Sequence, residues 1–210
     1  MGLLSLLLRD PLSFFLLAPL LLYSVIAHEV AHGWVASRFG DNTAKYAGRL
    51  SLNPMLHLDP MGTLMLFFVG FGWAKPVPVN YASLSNSRRA IISVSLAGCA
   101  TNLLIATAAI FLLQFQTFYE SQFLAPVLAV TAQINIILGS FNLIPIPPLD
   151  GSRVLAEFLS FSARYKLARI EPYGFFIIIA LLWTGILTPV ITFVQGVILL
   201  VIGLFLGFFR

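Results

Sequence analysis

The sequence predicts an all-α polytopic membrane protein, and three observations support that fold class. Hydrophobic residues fill 59% of the 210 positions and charged residues only 10%, whereas about a quarter of a soluble domain is charged. Mean hydropathy is +0.95. Long stretches contain no Asp, Glu, Lys, Arg or His. We expect about five transmembrane helices, a re-entrant segment and a small β-element near the cytoplasmic face, in one membrane-embedded domain over 1–210.

Stretches without those five residue types locate the helices. They are 11–27, 60–74, 90–119, 121–149 and 172–209. A membrane helix needs about 20 apolar residues, so 90–119 and 121–149 are each long enough. The last stretch is too long for one crossing, and Pro189 interrupts it. We therefore predict two helices there, near 173–187 and 190–209.

The first stretch predicts a long helix, whereas the short second stretch predicts a segment that does not cross the membrane. Apolar residues continue beyond residue 27, which predicts one helix from about 12 to 39, ended by Gly40. The stretch 60–74 is short and contains three glycines, so we predict a re-entrant segment. The glycines are Gly62, Gly70 and Gly72.

The distribution of basic residues predicts the orientation. With 60–74 re-entrant, every Lys and Arg except Arg9 lies on one side of the membrane, Arg210 included. The positive-inside rule then places the N-terminus outside and the C-terminus in the cytoplasm. The net charge of +4 is explained by this orientation, and we expect no nucleic-acid partner. The compact form of the chain favours a location in the plasma membrane of a bacterium or archaeon.

Two segments predict the β-element. Apolar and polar residues alternate over 44–52, with Lys45, Arg49 and Ser51 on the polar side. Residues 76–80 read Pro-Val-Pro-Val-Asn, which is typical of an edge strand because proline is tolerated there.

The motif His28-Glu29-Val30-Ala31-His32 carries the chemistry. Residues four apart lie on one face of a helix, so both imidazoles can hold one zinc ion. Glu29 lies beside them and is the expected general base. Each ionisable group in a membrane helix costs about 2.5–3.5 kcal/mol or more, which favours a functional role over a charge cluster.

A catalytic zinc site usually has a third protein ligand. The candidates in loops near the membrane edge are His57, Asp59 and Asp150. Asp150 ends a proline-rich run that cannot be helical, and irregular backbone at membrane depth is tolerated where it lines a site. An Asp-Gly pair is often only a turn, but beside the histidine motif we favour Asp150 as a ligand.

These motifs resemble those of the site-2 protease family of intramembrane zinc metalloproteases. The first metal motif matches 28–32, and the second matches 142–151, which implies that Asp150 is the third ligand. Three further segments are similar to the short members that lack PDZ and CBS domains; they are 48–54, 57–60 and 73–80. The family usually reads Ala-Gly-Pro where this chain has Ala97-Gly98-Cys99, and Asn102 is kept.

The resemblance implies a function. An enzyme of this family would use one zinc ion per chain and cut peptide bonds within or near transmembrane segments of membrane proteins, in regulated intramembrane proteolysis. Asn102 or His57 could supply an oxyanion donor, although helix–helix bonding by Asn102 and backbone bonding by His57 are alternatives. Val77, Val79 and Asn80 could hold an extended substrate by strand addition.

Two other functions remain open. A membrane metal transporter would also place histidine and acid in the membrane, and a catalytically inactive relative could act as a binding protein. A transporter has no need of Glu29 between the two histidines, and an inactive relative has no need of the complete set of ligands and base. The sequence leaves substrate identity and oligomeric state open.

Overall fold

The computed structural model describes residues 3–69, 72–84 and 86–207, and all regular structure in these ranges is helical. Gly70 of the predicted re-entrant segment, the end of the last predicted helix at 208–209 and Arg210 lie outside the described residues. The α-helices, in chain order, are α1 Leu3–Arg9, α2 Pro11–Arg38, α3 Thr43–Tyr46, α4 Pro60–Phe68, α5 Tyr81–Leu84, α6 Arg88–Leu112, α7 Gln116–Tyr119, α8 Leu124–Asn142, α9 Asp150–Ala156, α10 Phe161–Ile170, α11 Gly174–Trp183 and α12 Leu187–Gly207. Two 3₁₀ turns, Pro54–Leu56 and Glu171–Tyr173, complete the described elements.

Four helices of the described chain are long and apolar enough to cross a membrane: α2, α6, α8 and α12. Helix α6 lies at the centre, because α2, α8, α9 and α12 all pack against it. Small residues on α6, such as Ala97, Gly98 and Ala106, are buried at these contacts. Close helix packing of this kind depends on small side chains in membrane proteins.

The first long helix matches its prediction. Asp10 caps α2 by accepting a hydrogen bond from the Ser13 N–H at 3.1 Å, and Pro11 occupies the first helical position, where its missing N–H costs nothing. The helix ends at Arg38, and Gly40 follows with a φ of 97°. A residue with a Cβ would be strained at that φ, so glycine suits the turn.

The predicted β-element is wrong for the described residues. Thr43–Tyr46 is a short helix, and Gly48 turns the chain with a φ of 65°. Arg49, assigned to the polar side, is only 9% exposed, while Tyr46 on the supposed apolar side is 84% exposed. Residues 76–80 form no strand. The N–H groups of Val77 and Asn80 donate to carboxylate side chains instead of to a neighbouring strand.

The stretch 172–209 divides into a short helix and a long one. Gly185, with a φ of 74°, separates α11 from α12, and Pro189 lies inside the first turn of α12, where proline is tolerated. Helix α11 has 10 residues, so it is about 15 Å long. That is half the hydrocarbon thickness of about 30 Å. Among the described residues four helices have the length and composition of a crossing, and the count of five stays a prediction.

The course of α12 follows from its neighbours. Its start packs through Leu187 and Ile191 against the segment after α8, around Ile144. Its later part packs through Ile202 and Leu206 in a cluster with Ala106 and Ile136. Helix α12 therefore begins at the end of the bundle where α8 ends, and then runs along α8 and α6.

The short segment 60–74 is partly helical. Asp59 caps α4 by accepting from the Gly62 N–H at 2.7 Å, and α4 is nine residues long. The chain then returns so closely that a Cβ on Gly62 would lie 2.1 Å from the Trp73 carbonyl oxygen. Glycine is needed for this approach. The length of α4 suits a segment that does not cross, and its re-entrant placement in the bilayer stays a prediction.

Candidate active site

Two histidines face α6 from α2. His28 and His32 are each 6% exposed, one helical turn apart, with ring centroids 4.7 Å apart. Their Nε2 atoms lie 3.1 Å from each other. The i, i+4 spacing thus places both inner ring nitrogens at one point on the helix surface.

Asp150 reaches the same point from α9, which also packs against α6. It is the first residue of α9, after the irregular proline-rich segment 143–149. Its Oδ2 atom lies 3.1 Å from His28 Nε2 and 3.3 Å from His32 Nε2. The next residue is glycine, and a Cβ there would lie 2.2 Å from the Leu143 carbonyl oxygen. Gly151 therefore allows the close approach of backbone that brings Asp150 inwards.

The outer ring nitrogens of both histidines are hydrogen-bonded. His32 Nδ1 lies 2.7 Å from the Val94 carbonyl oxygen, and His28 Nδ1 lies 2.6 Å from Asn102 Oδ1. A carbonyl oxygen only accepts, so His32 Nδ1 carries the proton, and in the neutral imidazole that binds a metal its Nε2 presents a lone pair. The same reasoning applies to His28, because the atom opposite it is the amide oxygen.

The residues present fit a metal ion. Two imidazole lone pairs and a carboxylate oxygen face one another, and the three candidate ligand atoms lie within 4.8 Å of one another. Three such acceptors repel one another unless a cation lies between them. Two histidines and one carboxylate are a common ligand set of catalytic zinc, with a fourth position left open.

Glu29 is partly buried beside this group. Its Oε2 atom accepts a hydrogen bond of 3.0 Å from the backbone N–H of Val77. Val77 belongs to the irregular segment 72–80, which therefore contacts the predicted general base. The hydrogen bond fixes the orientation of the Glu29 carboxylate.

Several contacts hold the segment 72–80 in place. The Lys75 N–H donates to the His57 carbonyl at 2.8 Å, and Arg49 Nη2 donates to the Lys75 carbonyl at 2.7 Å. The Asn80 N–H donates to Asp41 Oδ2 at 2.7 Å. Beneath Val77, a Cβ on Gly33 would lie 2.8 Å from the Val77 side chain. The segment is thus packed and hydrogen-bonded along its length.

Asp41 holds the C-terminal end of the segment 72–80 through a hydrogen bond to a charged carboxylate. Burial opposes ionisation of its carboxyl group, but hydrogen bonds from Thr43 and from the Asn80 N–H outweigh burial and lower its pKa. Asp41 is therefore a carboxylate at neutral pH, and its hydrogen bonds are charge-assisted.

Some residues predicted for the site have other partners. His57 is fully buried, and its Nε2 lies 2.7 Å from the Ser51 carbonyl, the backbone bonding given above as an alternative. Asn102 contacts His28 and also donates to Ser24 O and Asn135 Oδ1, so its amide is already engaged. The N–H groups of Val77 and Asn80 donate within the protein. A substrate contact by this segment, Val79 included, stays a prediction.

Three groups that support the site were not predicted from the sequence: Ser24, Asn135 and the Val94 carbonyl. Ser24 lies four residues before His28, so their shared helix face was a usable signal. Asn135 is an amide inside an apolar stretch, where a polar group needs a partner. A backbone carbonyl leaves no signal in the sequence.

Comparison with known proteins identifies the family of this chain. The family model of peptidase family M50 matches residues 116–185, a range that contains Asp150. A Bacillus subtilis protein named "Putative zinc metalloprotease YwhC" is 42% identical over 171 residues, which cover 78% of each chain. A Mycolicibacterium smegmatis protein named "Putative zinc metalloprotease Rip2" is 32% identical over 174 residues, 78% of this chain and 64% of the relative.

A more distant relative is archaeal. "Zinc metalloprotease MJ0392" of Methanocaldococcus jannaschii is 26% identical over 191 residues, which are 90% of this chain and 46% of the relative. No solved structure matches the chain significantly. The identity to the Bacillus protein over most of both chains, together with the family match, decides the assignment. The chain belongs to peptidase family M50, the site-2 protease family of zinc metalloproteases.

Proposed function

We propose that this chain is an intramembrane zinc metalloprotease that hydrolyses peptide bonds within or near transmembrane segments of membrane proteins, in regulated intramembrane proteolysis. His28, His32 and Asp150 would hold one zinc ion and Glu29 would act as general base, within one domain over residues 1–210. One observation carries the proposal. The three candidate ligand atoms converge on a helix that is long and apolar enough to cross a membrane.

The depth of the site supports an intramembrane substrate. His32 lies six residues before Arg38 at the end of α2, which corresponds to about 9 Å along the helix. His28 lies about 15 Å from the same end. A bilayer has a hydrocarbon core of about 30 Å, so the site lies below the membrane surface but short of its opposite face.

The residues of the site have separate roles. Zinc, when bound, would supply Lewis acidity that polarises a peptide carbonyl and activates water. Glu29 would take the proton of the attacking water and deliver it to the leaving amine. Because Oε2 accepts the Val77 hydrogen bond, we assign proton transfer to Oε1. The Val77 N–H thus holds the carboxylate while its other oxygen reacts.

The orientation proposed from the basic residues places the site near the cytoplasm. With the N-terminus outside, Arg38 and the loops after α2 lie on the cytoplasmic side, and so does the segment 143–170. The site would then open to the cytoplasmic side of a bacterial or archaeal plasma membrane. Its substrates would be membrane proteins whose helices unwind before cleavage.

A Glu29→Gln variant tests the proposal. The wild-type protein and the variant are purified in detergent, their zinc content is measured, and both are incubated with a panel of single-span membrane proteins. Both should hold about one zinc per chain, and only the wild type should cleave. Loss of the general base should lower the rate about 10²- to 10⁴-fold.

Other outcomes would favour the competing functions. Zinc binding with zinc transport into liposomes that survives Glu29→Gln would indicate a transporter. Zinc binding with neither cleavage nor transport would indicate a binding protein. A wild-type protein without zinc would contradict the proposed site.

A further inference from the structure

A pair of amide side chains links α6 to α8 behind the site. Asn102 and Asn135 are both 0% exposed, and Asn102 Nδ2 donates to Asn135 Oδ1 at 2.7 Å. Both residues lie in helices long enough to span a membrane. A polar side chain in that environment needs a partner, and here each amide is the partner of the other.

The direction of this pair is fixed by backbone carbonyls. Asn102 Nδ2 also faces the Ser24 carbonyl at 3.3 Å, and Asn135 Nδ2 faces the Thr131 carbonyl at 2.9 Å. A carbonyl oxygen only accepts, so the group facing it must be the NH₂ end of each amide. An amide turned over would place two acceptors against each other.

The remaining ends of the network agree with this direction. Asn135 Nδ2 donates to Ser24 Oγ at 2.9 Å, and the Ser24 hydroxyl donates to the Leu20 carbonyl at 2.7 Å. With its NH₂ end engaged, Asn102 can present only its oxygen to His28 Nδ1, at 2.6 Å. His28 must then donate from Nδ1, which leaves the Nε2 lone pair directed at Asp150.

We propose that Asn102, Asn135 and Ser24 form a positioning relay that holds His28 in the metal-binding tautomer and so sets the zinc affinity of the site. Asn102 acts on His28 directly, whereas Asn135 and Ser24 act through the orientation of Asn102. The proposal rests on the zinc ligands of the proposed function. It adds that an amide on α8, remote from any ligand atom, contributes to metal binding.

Zinc affinity measured by competition with a chelator tests the relay. Asn102→Leu removes the acceptor and should weaken zinc binding roughly 10- to 100-fold, the usual effect of losing a hydrogen-bond partner of a ligating histidine. Asn135→Leu should weaken it less. The double variant should bind no more weakly than Asn102→Leu alone, because one residue acts through the other.

Asn102→Asp separates positioning from helix packing. An aspartic acid keeps an oxygen opposite His28 Nδ1 but loses the NH₂ group that binds Ser24 and Asn135. We expect lower stability than wild type in thermal unfolding of the zinc-free protein, with zinc affinity much closer to wild type than that of Asn102→Leu. If the amides only held helices together, zinc affinity would decline in step with stability.

Thr107→Val is the matched control. The Thr107 hydroxyl donates to Leu103 within α6 and to no site residue, so this variant should bind zinc as wild type does. If Asn102→Leu fails to fold, Asn135→Leu and Asn102→Asp still decide the question. Wild-type zinc affinity in both Leu variants, with the wild-type protein binding zinc, would overturn the relay and leave the proposed protease intact.

Discussion

At the residue scale, the site is defined by which atoms the histidines present. Each Nδ1 is held by an oxygen acceptor, Val94 O or Asn102 Oδ1, so both Nε2 lone pairs point to Asp150. The hydrogen bonds that orient both rings come from α6. The metal would bind to side chains that are already oriented, which reduces the ordering cost of binding.

Gly98 makes room for one of these rings. A Cβ at position 98 would lie 2.5 Å from both Cε1 and Nε2 of His28. We predict that Gly98→Ala displaces the imidazole, lowers the free energy of unfolding by about 1–3 kcal/mol and weakens zinc binding. Chelator competition and thermal unfolding in detergent measure the two effects.

Gly196→Ala provides the comparison for that substitution. A Cβ at position 196, in α12, would meet no atom within 4 Å, and alanine favours helix over glycine. This variant should bind zinc normally and be at least as stable as wild type. Unchanged zinc binding in Gly98→Ala would show that the His28 ring is not confined as the structure places it.

At the scale of elements, the segment 72–80 joins the site to the loops that follow α2. It is held by Arg49, by the His57 carbonyl and by Asp41, and in turn it holds Glu29 through Val77. The segment 72–80 therefore does not form a strand, although its sequence alternates and contains two prolines. It connects other elements through hydrogen bonds. Its hydrogen bonds run to side chains of other elements.

The Asp41 anchor predicts a pH dependence. Its pKa is lowered from 3.8 in the folded protein, so folding favours the carboxylate. Its stabilisation is present above the unfolded pKa and is lost as pH falls through the folded one. We predict that Asp41→Ala lowers the free energy of unfolding by about 1–3 kcal/mol at pH 7, and that this difference shrinks below pH 3.8.

Denaturant titration in detergent across that pH range measures the difference. Asp41→Asn, which keeps one oxygen acceptor without the charge, should lose less than Asp41→Ala at pH 7. Asp41→Asn should converge with wild type in acid, whereas Asp41→Ala should keep the smaller loss that comes from the missing acceptor. A difference that stays constant down to the lowest accessible pH would mean that the Asp41 charge does not contribute.

The elements also show what the sequence could predict. The long helices follow from composition, and the histidine pair follows from local spacing. The strand over 44–52 was wrong because the burial of Arg49 and the turn at Gly48 outweigh a weak alternation. The partnership of Ser24 with Asn135 was not predictable, because helices that are apolar all round give no signal of which face is buried. The position of Asp150 beside the two histidines was predicted from the need for a third zinc ligand, because few acidic residues were candidates for that role.

At the scale of the whole molecule, the number of crossings determines where the chain ends. In the proposed orientation the segment 143–170 lies on the cytoplasmic side, and α12 begins beside that segment, at Leu187 and Ile191. Helix α11, with 10 residues, is shorter than a crossing of the hydrocarbon core requires, and we propose that it does not cross. The end of α12 would then lie on the outer side, contrary to the cytoplasmic C-terminus expected from five crossings.

Reporter fusions test this reasoning. We predict that a reporter active only in the cytoplasm is inactive when fused after residue 207 and active when fused in the loop between α9 and α10. The reverse result for the C-terminal fusion would show that α11 crosses after all. It would restore the five crossings predicted from the sequence.

The position of the cut in a single-span substrate tests the central claim most directly. Products made by the wild-type protein and by Glu29→Gln are compared by mass spectrometry, which identifies the cleaved bond. The proposed function predicts a cut within or at the edge of the apolar span, present with wild type and absent with Glu29→Gln. Cuts confined to soluble regions far from the span, or cuts that persist in Glu29→Gln, would contradict it.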